Sequence, residues 1–168
     1  YILFDDVHRD HLLPFAFIRP VAEIRIGILT IREKWEKWTG YPFSYLTRDY
    51  LQEKYPLISG DENILVNSSV TPNANLIEEI LNLKSGEVLQ KDNLMVAGCL
   101  DRSSLDSFIG NIPGECTSKQ VSADFIQISR LWHIFRLNGE ELQSDYKILT
   151  EGRTTQPVSP TNNLINPG

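Results

Sequence analysis

Basic side chains are concentrated near the amino terminus of a chain whose formal net charge is −6. The basic residues of this stretch are Arg9, Arg19, Arg25 and Arg32. Arginine guanidinium groups bind phosphate oxygens through paired hydrogen bonds, so this stretch could hold a phosphorylated ligand. It also contains Asp5 and Asp6, whose carboxylates could recruit a metal ion but would otherwise repel phosphate. Residues 5–27 are therefore a candidate anion-binding loop, and ordinary surface ion pairs are the alternative interpretation.

A second polar run follows a short apolar segment in the first half of the chain. It consists of Asn67, Ser68 and Ser69, directly after the apolar residues 64–66. Such a run is either part of a binding site or a simple strand end, because Ser and Asn side chains readily bond to nearby backbone. Thr71 and Pro72 follow as a predicted helix cap and first helical residue. From these residues alone both interpretations stay open.

These polar residues must be positioned by apolar segments of strand type that alternate with amphipathic helices. The predicted strands are residues 1–4, 43–46, 64–66, 88–89, 94–99 and 120–128. The predicted helices are residues 28–39, 47–54, 72–81, 101–109, 131–137 and 140–149. This alternation predicts an α/β fold with a mainly parallel central sheet flanked by helices. We expect strands 2–4 and 64–66 to be adjacent and parallel, with the loop 5–27 at their carboxyl ends, where α/β sheets bind ligands.

The last predicted helix and the segment after it set the expected domain boundary. In the helix 140–149 the apolar residues Leu142, Tyr146 and Leu149 are expected to face inward. The segment 153–168 has three prolines and no apolar period, so it is predicted to be a linker in which Leu164 and Ile165 are exposed. The predicted organisation is therefore one domain over residues 1–152 and a linker over residues 153–168.

Composition narrows the class of protein. A chain of 168 residues and 19.2 kDa can bury the core of one ordinary domain. Its sequence pI of about 5.1 argues against nucleic acid as a partner, because no basic excess is available to displace counterions from phosphates. No apolar run is long enough for a membrane span, and the two cysteines have no metal-site spacing. We expect a cytoplasmic protein with no membrane partner.

The loop carries a recognisable motif. Residues 14–27 read P-F-A-F-I-R-P-V-A-E-I-R-I-G, which resembles the sugar nucleotidyltransferase signature P-L-T-x-x-R-P-K-x-x-x-x-x-G, with Pro14, Arg19, Pro20 and Gly27 in register. The wider sequence, including N-I-L-V-N-S-S-V-T-P and L-W-H-I-F-R-L-N-G-E, is similar to a bacterial group of sugar nucleotidyltransferases. That group is related to the bifunctional N-acetylglucosamine-1-phosphate uridyltransferase/glucosamine-1-phosphate acetyltransferase.

This resemblance implies a Rossmann-like nucleotidyltransferase fold and a reaction between a nucleoside triphosphate (NTP) and a sugar-1-phosphate, with Mg²⁺ as cofactor. It implies Arg9 and Arg25 as catalytic residues. The nucleotide-binding residues that it implies are Phe4, Asp5, Asp6, Arg9, Arg19 and Glu23. The sugar-binding residues that it implies are Asn67, Ser68 and Ser69. Full members carry a left-handed β-helix after this domain, so the resemblance also implies that residues 153–168 lead to one and that the whole protein is a trimer.

Two positions depart from the pattern of active members. Val21 occupies the position of the signature lysine, and Ser69 occupies the position of an aspartate that binds the metal in active relatives. A serine hydroxyl is a poor sole ligand for a hard divalent cation. Two functions are therefore carried forward: a nucleotidyltransferase with degenerate motifs, and a non-catalytic domain that binds a nucleotide sugar or acts as a scaffold for a β-helix.

Overall fold

The structure is a computed structural model that describes residues 1–108, 116–154, 156–162 and 165. Its centre is a six-stranded sheet. In chain order the sheet strands are β1 (Ile2–Phe4), β4 (Ser44–Leu46), β5 (Glu62–Asn67), β6 (Glu87–Lys91), β7 (Leu94–Asp101) and β8 (Thr117–Gln120). A separate antiparallel hairpin is formed by β2 (Arg25–Ile26) and β3 (Leu29–Thr30). The helices are α1 (Ile31–Thr39), α2 (Ala74–Leu81), α3 (Arg102–Ser107), α4 (Leu131–Arg136) and α5 (Asn138–Thr150).

The sheet has the spatial order β4-β1-β5-β7-β6-β8. The strands β4, β1 and β5 are parallel, β7 is antiparallel to both of its neighbours, and β8 is parallel to β6. Five of the six strands therefore run in one direction, as the mainly parallel α/β fold requires. The predicted pairing of β1 with β5 is confirmed, with Ile2 opposite Leu65 and Phe4 opposite Asn67.

Strand β1 is buried on both faces, which is why its sequence is continuously apolar. Leu3 packs into one layer of the core with Trp35 of α1, whereas Ile2 and Phe4 pack into the opposite layer. The aromatic rings of Phe4 and Phe108 meet edge to face with centroids 5.1 Å apart. Both faces of β1 are therefore covered by the core. The polar loop begins with Asp5, directly after the carboxyl end of this strand.

Helix α1 starts three residues later than predicted. Residues 25–30 form the β2–β3 hairpin, which turns at Gly27 with a φ of 77°. The side chain of Thr30 then accepts a hydrogen bond from Glu33 N, and the Glu33 carboxylate accepts one from Thr30 N, forming a capping box. The helix ends at Thr39, and Gly40 adopts the left-handed conformation.

Several other predicted elements are shorter than the sequence pattern indicated. Residues 47–54 contain only the 3-10 turn Asp49–Leu51 instead of a helix. Of the predicted strand 120–128, only Gln120 lies in β8, and Gln127 forms a single bridge with Val70. Helix α2 is capped by the side chain of Asn73, not by Thr71. The helix predicted over residues 101–109 ends at Ser107, and position 109 itself lies outside the described residues.

The prediction for helix α5 was wrong about which face is buried. Leu142 and Tyr146 are exposed, whereas Glu141 and Asp145 are buried. The reason is Lys34 of α1, which is also buried and forms ion pairs with both carboxylates. A buried ammonium group must be paired, and this requirement outweighs the apolar period of α5.

The segment after α5 has no described helix or strand, and its described residues are exposed. Ile165 is exposed as predicted, and Leu164 lies outside the described residues. That this segment is a linker to a β-helix stays a prediction. Among the described residues, no helix has the length and apolar character needed to cross a membrane.

Candidate functional site

The residues that follow β1 and β5 meet at one edge of the sheet, beside two adjoining cavities that we call the strand-end cleft. One cavity, of about 390 Å³, is the arginine cavity, lined by Asp5, Asp6, Val7, Arg9, Leu46, Thr47, Arg48, Asp49 and Phe108. The other, of about 310 Å³, is the amide cavity, lined by Phe4, Asp6, Val7, His8, Asn67, Gln90, Asp92, Asn93, Leu94 and Met95. Asp6 and Val7 line both cavities, so the two spaces are neighbours at the end of β1.

Asp5 anchors the start of the loop. Its Oδ1 accepts hydrogen bonds from Val21 N at 3.0 Å and from Ser68 Oγ at 2.7 Å. Its Oδ2 accepts one from Thr47 Oγ1 at 2.5 Å and lies 3.5 Å from the Arg9 Nε. Burial raises the pKa of Asp5 above its ordinary value, although these hydrogen bonds and the Arg9 charge act in the opposite direction. Both carboxylate oxygens are therefore already engaged within the protein.

Asp6 links the loop to the end of β5. Its side chain accepts a hydrogen bond from His8 N and lies 2.9 Å from His8 Nδ1. Asn67 Nδ2 donates to Asp6 Oδ2 at 2.9 Å and to Met95 O at 3.0 Å, which connects β5 with β7. Asn67 is fully buried, so this amide fixes the distance between the two strand ends. The geometry makes Asp6 and Asn67 a shared wall between the two cavities.

Ser68 and Ser69 are both buried and both hydrogen bonded. Ser68 Oγ donates to Asp5, and Ser68 N donates to Phe4 O at 2.9 Å. Ser69 Oγ donates to Asn67 Oδ1 at 2.7 Å and accepts a hydrogen bond from Gln127 Nε2 at 3.3 Å. The run 67–69 is thus a closed polar network in which only Asn67 lines a cavity, and the sugar-binding roles of Ser68 and Ser69 stay predictions.

Comparisons with known proteins identify the family of the chain. Residues 1–154 match the family model described as sugar nucleotidyl transferase. The chain belongs to this family. One solved structure that matches is described as "a Putative Glucose-1-Phosphate Thymidylyltransferase from Bacillus anthracis in Complex with a Sucrose". The match has 11% sequence identity and a TM-score of 0.46, and covers 84% of this chain and 94% of that one. No sequence among curated proteins matches the chain.

In this member of the sugar nucleotidyl transferase family, Arg9 lies at the cleft and is buried. One of its Nη atoms donates to Ala16 O and, at 2.7 Å, to the hydroxyl of Tyr50. Tyr50 in turn donates to Phe17 O at 2.6 Å, so the guanidinium braces the fold of the signature loop. Arg9 Nε makes no hydrogen bond, although it faces Asp5. The catalytic and nucleotide-binding roles of Arg9 stay predictions.

The other predicted loop residues do not line either cavity. Arg19 is exposed on the loop. Glu23 accepts hydrogen bonds from Arg32 Nε at 2.6 Å and from the Tyr45 hydroxyl at 2.5 Å, and thereby connects the loop with α1 and β4. Arg25 lies in the hairpin, where it donates to Ile28 O and pairs with Glu33. The structure thus brings Phe4, Asp5, Asp6, Arg9 and residues 67–69 together but places these three elsewhere.

The sequence analysis missed several side chains that line the cleft. Arg48 directly follows Thr47. Its side chain is half-exposed, and its Nη2 lies 3.3 Å from Asp10 Oδ1. Gln90, Asn93 and His8 bring polar groups to the amide cavity. Arg48 could have been found from the sequence, because Thr47 and Arg48 directly follow the strand β4 that is parallel to β1. Residues 90 and 93 could not, because the antiparallel position of β7 decides where the β6–β7 turn lies.

The cleft offers different chemistry in its two parts. Amide side chains both donate and accept hydrogen bonds, which suits the hydroxyl groups of a sugar. The Arg48 guanidinium suits phosphate oxygens. Asp5 does not fit a resident Mg²⁺, because both of its oxygens already accept hydrogen bonds within the protein. Mg²⁺ as a cofactor stays a prediction. In the described part of the chain, no group of three or more His, Cys, Asp or Glu could hold a metal ion.

Proposed function

We propose that this chain is a sugar nucleotidyl transferase domain that binds an NTP and a sugar-1-phosphate in the strand-end cleft but transfers the nucleotidyl group slowly. The family implies these two substrates. The sugar would lie in the amide cavity, near Asn67, Gln90 and Asn93, and the phosphates would lie near Thr47 and Arg48. Asp6 and Val7, shared by the two cavities, mark where the reacting groups would meet.

The reaction itself has strict electrostatic needs. An oxygen of the sugar-1-phosphate attacks the α-phosphorus of the NTP, a new P–O bond forms, and the bond to the β-phosphate breaks to release pyrophosphate. Two anions must therefore be held in line, and the charge that develops between them must be neutralised. The protein would therefore have to provide fixed cations, together with acidic metal ligands that are not already hydrogen bonded within the protein.

The observation that carries the proposal is the closed hydrogen bonding of Asp5. Both of its oxygens are occupied by donors from Val21, Ser68 and Thr47, so this carboxylate supports the loop instead of remaining available to a ligand. Val21 and Ser69 replace two further charged groups of active relatives. Losing one transition-state charge contact typically costs about 3 kcal/mol, which is on the order of a hundredfold in rate. Two uncompensated losses would leave turnover near background while binding persists.

The second candidate is a domain without catalytic activity that binds a nucleotide sugar or supports a β-helix. It is favoured by the same closed network at Asp5 and by the buried, hydrogen-bonded Ser69. The two candidates differ in one measurable property, which is whether pyrophosphate is released at all. The cytoplasmic location and the trimer formed through a β-helix stay predictions.

Calorimetric titration and a pyrophosphate-release assay would test the proposal. The titrants are UTP, dTTP and glucose-1-phosphate, each with and without Mg²⁺. We expect binding of a nucleotide and very slow pyrophosphate release. Arg48→Ala should weaken nucleotide binding roughly tenfold, because it removes a charge-assisted hydrogen bond to phosphate.

Arg102→Ala is the matched control for this experiment. Arg102 is exposed and follows the carboxyl end of the antiparallel strand β7, at the sheet edge opposite the cleft. Its replacement should leave nucleotide affinity unchanged. Fast Mg²⁺-dependent turnover by the wild-type chain would contradict the slow transfer, and equal affinities of Arg48→Ala and wild type would contradict the placement of the phosphates.

A further inference from the structure

Helices α4 and α5 form one nearly continuous helical segment over residues 131–150, which we call the α4–α5 rod. Leu137, between them, keeps a right-handed helical conformation. Its N–H donates to His133 O at 3.0 Å, and its carbonyl accepts from Glu141 N at 3.1 Å, so Leu137 takes part in the hydrogen bonding of both helices. The rod therefore presents continuous faces to the protein and to solvent.

The face of the rod that is turned to the protein carries three polar residues at helical spacing. They are Asn138, Glu141 and Asp145. Asn138 Oδ1 accepts a hydrogen bond from Gly27 N at 2.8 Å, and Asp145 Oδ2 accepts from Ile28 N at 2.8 Å and Leu29 N at 3.0 Å. Glu141 pairs with Lys34 at 2.8 Å and accepts a hydrogen bond from Thr71. These contacts fix the rotation of the rod about its axis.

The neighbouring face, about 100° around the rod from the protein-facing one, is apolar and exposed. Its large side chains are Trp132, Phe135, Leu142 and Tyr146, exposed at 61%, 75%, 44% and 61%. With Gly139 and Leu149 they occupy successive steps of three and four residues. This is the period of 3.5 that allows one helix to pack along another. An apolar stripe of this regularity, held outward by buried ion pairs on the other face, is typical of an interface.

We propose that this face binds a second copy of the chain, with the two rods antiparallel about a two-fold axis near residues 140 and 141. In this arrangement Trp132 of one copy lies at the level of Leu149 of the second copy, and Phe135 lies at the level of Tyr146. Gly139 lies at the level of Leu142, so a position without a side chain faces a large one. The stripe is thus complementary to itself when reversed, as an isologous interface requires.

The charges near the ends of the rod favour the same arrangement. Arg130 precedes the rod and Glu151 follows it. In an antiparallel pair, Arg130 of each copy lies at the level of Glu151 of the other copy. A parallel pair would place like charges at the same level, which disfavours association. The opposed dipoles of antiparallel helices add to this preference.

The area of the face is also sufficient. Aromatic side chains have roughly 150–250 Å² each, so the three exposed rings and Leu142 present about 500 Å² on one copy. Pairing two copies would bury about 1,000 Å², which is at the lower end of specific interfaces. We therefore expect a dimer that dissociates on dilution instead of an obligate one.

Sedimentation velocity of the 168-residue chain over about 5–200 µM tests this proposal. We expect the mass to rise from 19.2 kDa toward twice that value with concentration. Phe135→Glu combined with Tyr146→Glu should give a monomer over the whole range, with unchanged circular dichroism, because both side chains are exposed. Ile58→Glu, at an exposed apolar residue away from the rod, is the matched control and should still form the dimer.

Cysteine cross-linking in a Cys116→Ser background tests the direction of the helices. Gly139→Cys combined with Leu142→Cys should form an intermolecular disulfide, whereas Trp132→Cys alone should not. A chain that is monomeric at every concentration, or a dimer that survives the double glutamate variant, would overturn the proposal. Efficient cross-linking through Trp132→Cys would overturn the antiparallel arrangement.

Discussion

The strand-end cleft and the α4–α5 rod both bury carboxylates, but they stabilise them in different ways. In the cleft, Asp5 is surrounded mainly by neutral donors, which are two hydroxyl groups and a backbone N–H, and its pKa is raised. In the rod, Glu141 and Asp145 share the ammonium of Lys34, which is itself buried. The comparison shows that buried acids in one small domain can serve as loop anchors or as an ionic link between helices.

The difference predicts unequal sensitivity to mutation. A carboxylate held by neutral donors can lose its charge and keep most of its hydrogen bonds. A buried ion pair that loses one partner leaves an uncompensated charge away from water. The rod should therefore be the more fragile region, although it lies outside the candidate site.

The largest effect is expected for Lys34→Met. Methionine fills a similar volume, but Glu141 and Asp145 are left buried without their cation. We expect a loss of about 3–5 kcal/mol in the free energy of unfolding, measured by urea denaturation. Lys37→Met, on the exposed face of the same helix, should change it by less than about 0.5 kcal/mol. Equal effects of the two variants would mean that the ion pairs contribute nothing to stability.

The second-largest loss of stability is expected for Gly27→Ala, because the added methyl group would push the rod away from the hairpin. A Cβ at this position would lie 2.6 Å from Asp145 Oδ2 and 2.8 Å from the Glu141 carbonyl carbon, at a φ of +77°. We expect destabilisation of about 2–3 kcal/mol from close contact and backbone strain together. Gly40→Ala has the same φ but open space around it, and should cost only about 1 kcal/mol. The difference in unfolding free energy between the two variants measures the cost of the close contact. Equal values for the two variants would contradict the packing described.

In the cleft, Asp5→Asn should have a smaller effect that depends on pH. The folded state holds the Asp5 proton more tightly than the unfolded state, because its pKa is raised. The stability contributed by this proton is complete below the unfolded pKa of about 3.9 and is lost as the pH rises through the folded pKa.

Urea unfolding of wild type and Asp5→Asn at about pH 4 and about pH 7 measures this effect. The variant should be less stable by about 1 kcal/mol at the acidic pH, because the amide places a donor near Arg9, and this deficit should narrow at neutral pH. Asp106→Asn, exposed on α3, serves as the control and should change stability little. A deficit that widens as the pH rises would contradict the raised pKa.

The smallest effect is expected for Arg25→Ala, which tests the predicted catalytic role of that residue. Its side chain is 56% exposed and its contacts are confined to the hairpin and the start of α1. We expect less than about 0.5 kcal/mol in stability and no change in nucleotide affinity by titration calorimetry. A loss of affinity as large as that of Arg48→Ala would show that Arg25 reaches the bound ligand.

The sequence alone predicted those parts of the fold that depend on local patterns of residue types. Residues 2–4 of β1 and 64–66 of β5 are apolar, and each segment is followed by a loop and an amphipathic helix, which predicted their parallel pairing. The meeting of Asp5 and Asp6 with residues 67–69 followed from that pairing, because each group directly continues its strand. Helix α1 ended where Gly40 permits a left-handed turn.

Tertiary contacts decided the rest. Residues 47–54 do not form a helix, because Thr47 and Tyr50 are held by hydrogen bonds to Asp5 and to the signature loop. Residues 122 and 123 do not continue β8, because their N–H groups donate to the carboxylate of Glu79 instead of to a neighbouring strand.

The α4–α5 rod shows most clearly what could not be predicted from the sequence alone. Its apolar stripe at residues 132, 135, 142 and 146 is evident in the sequence, and the period correctly indicated helix. The direction in which the stripe points could not be deduced from that period, because a lysine more than a hundred residues away in the chain needs two carboxylates when it is buried. The sequence determined that these residues form a helix with two faces, and only the buried ammonium of Lys34 determined which face is inside.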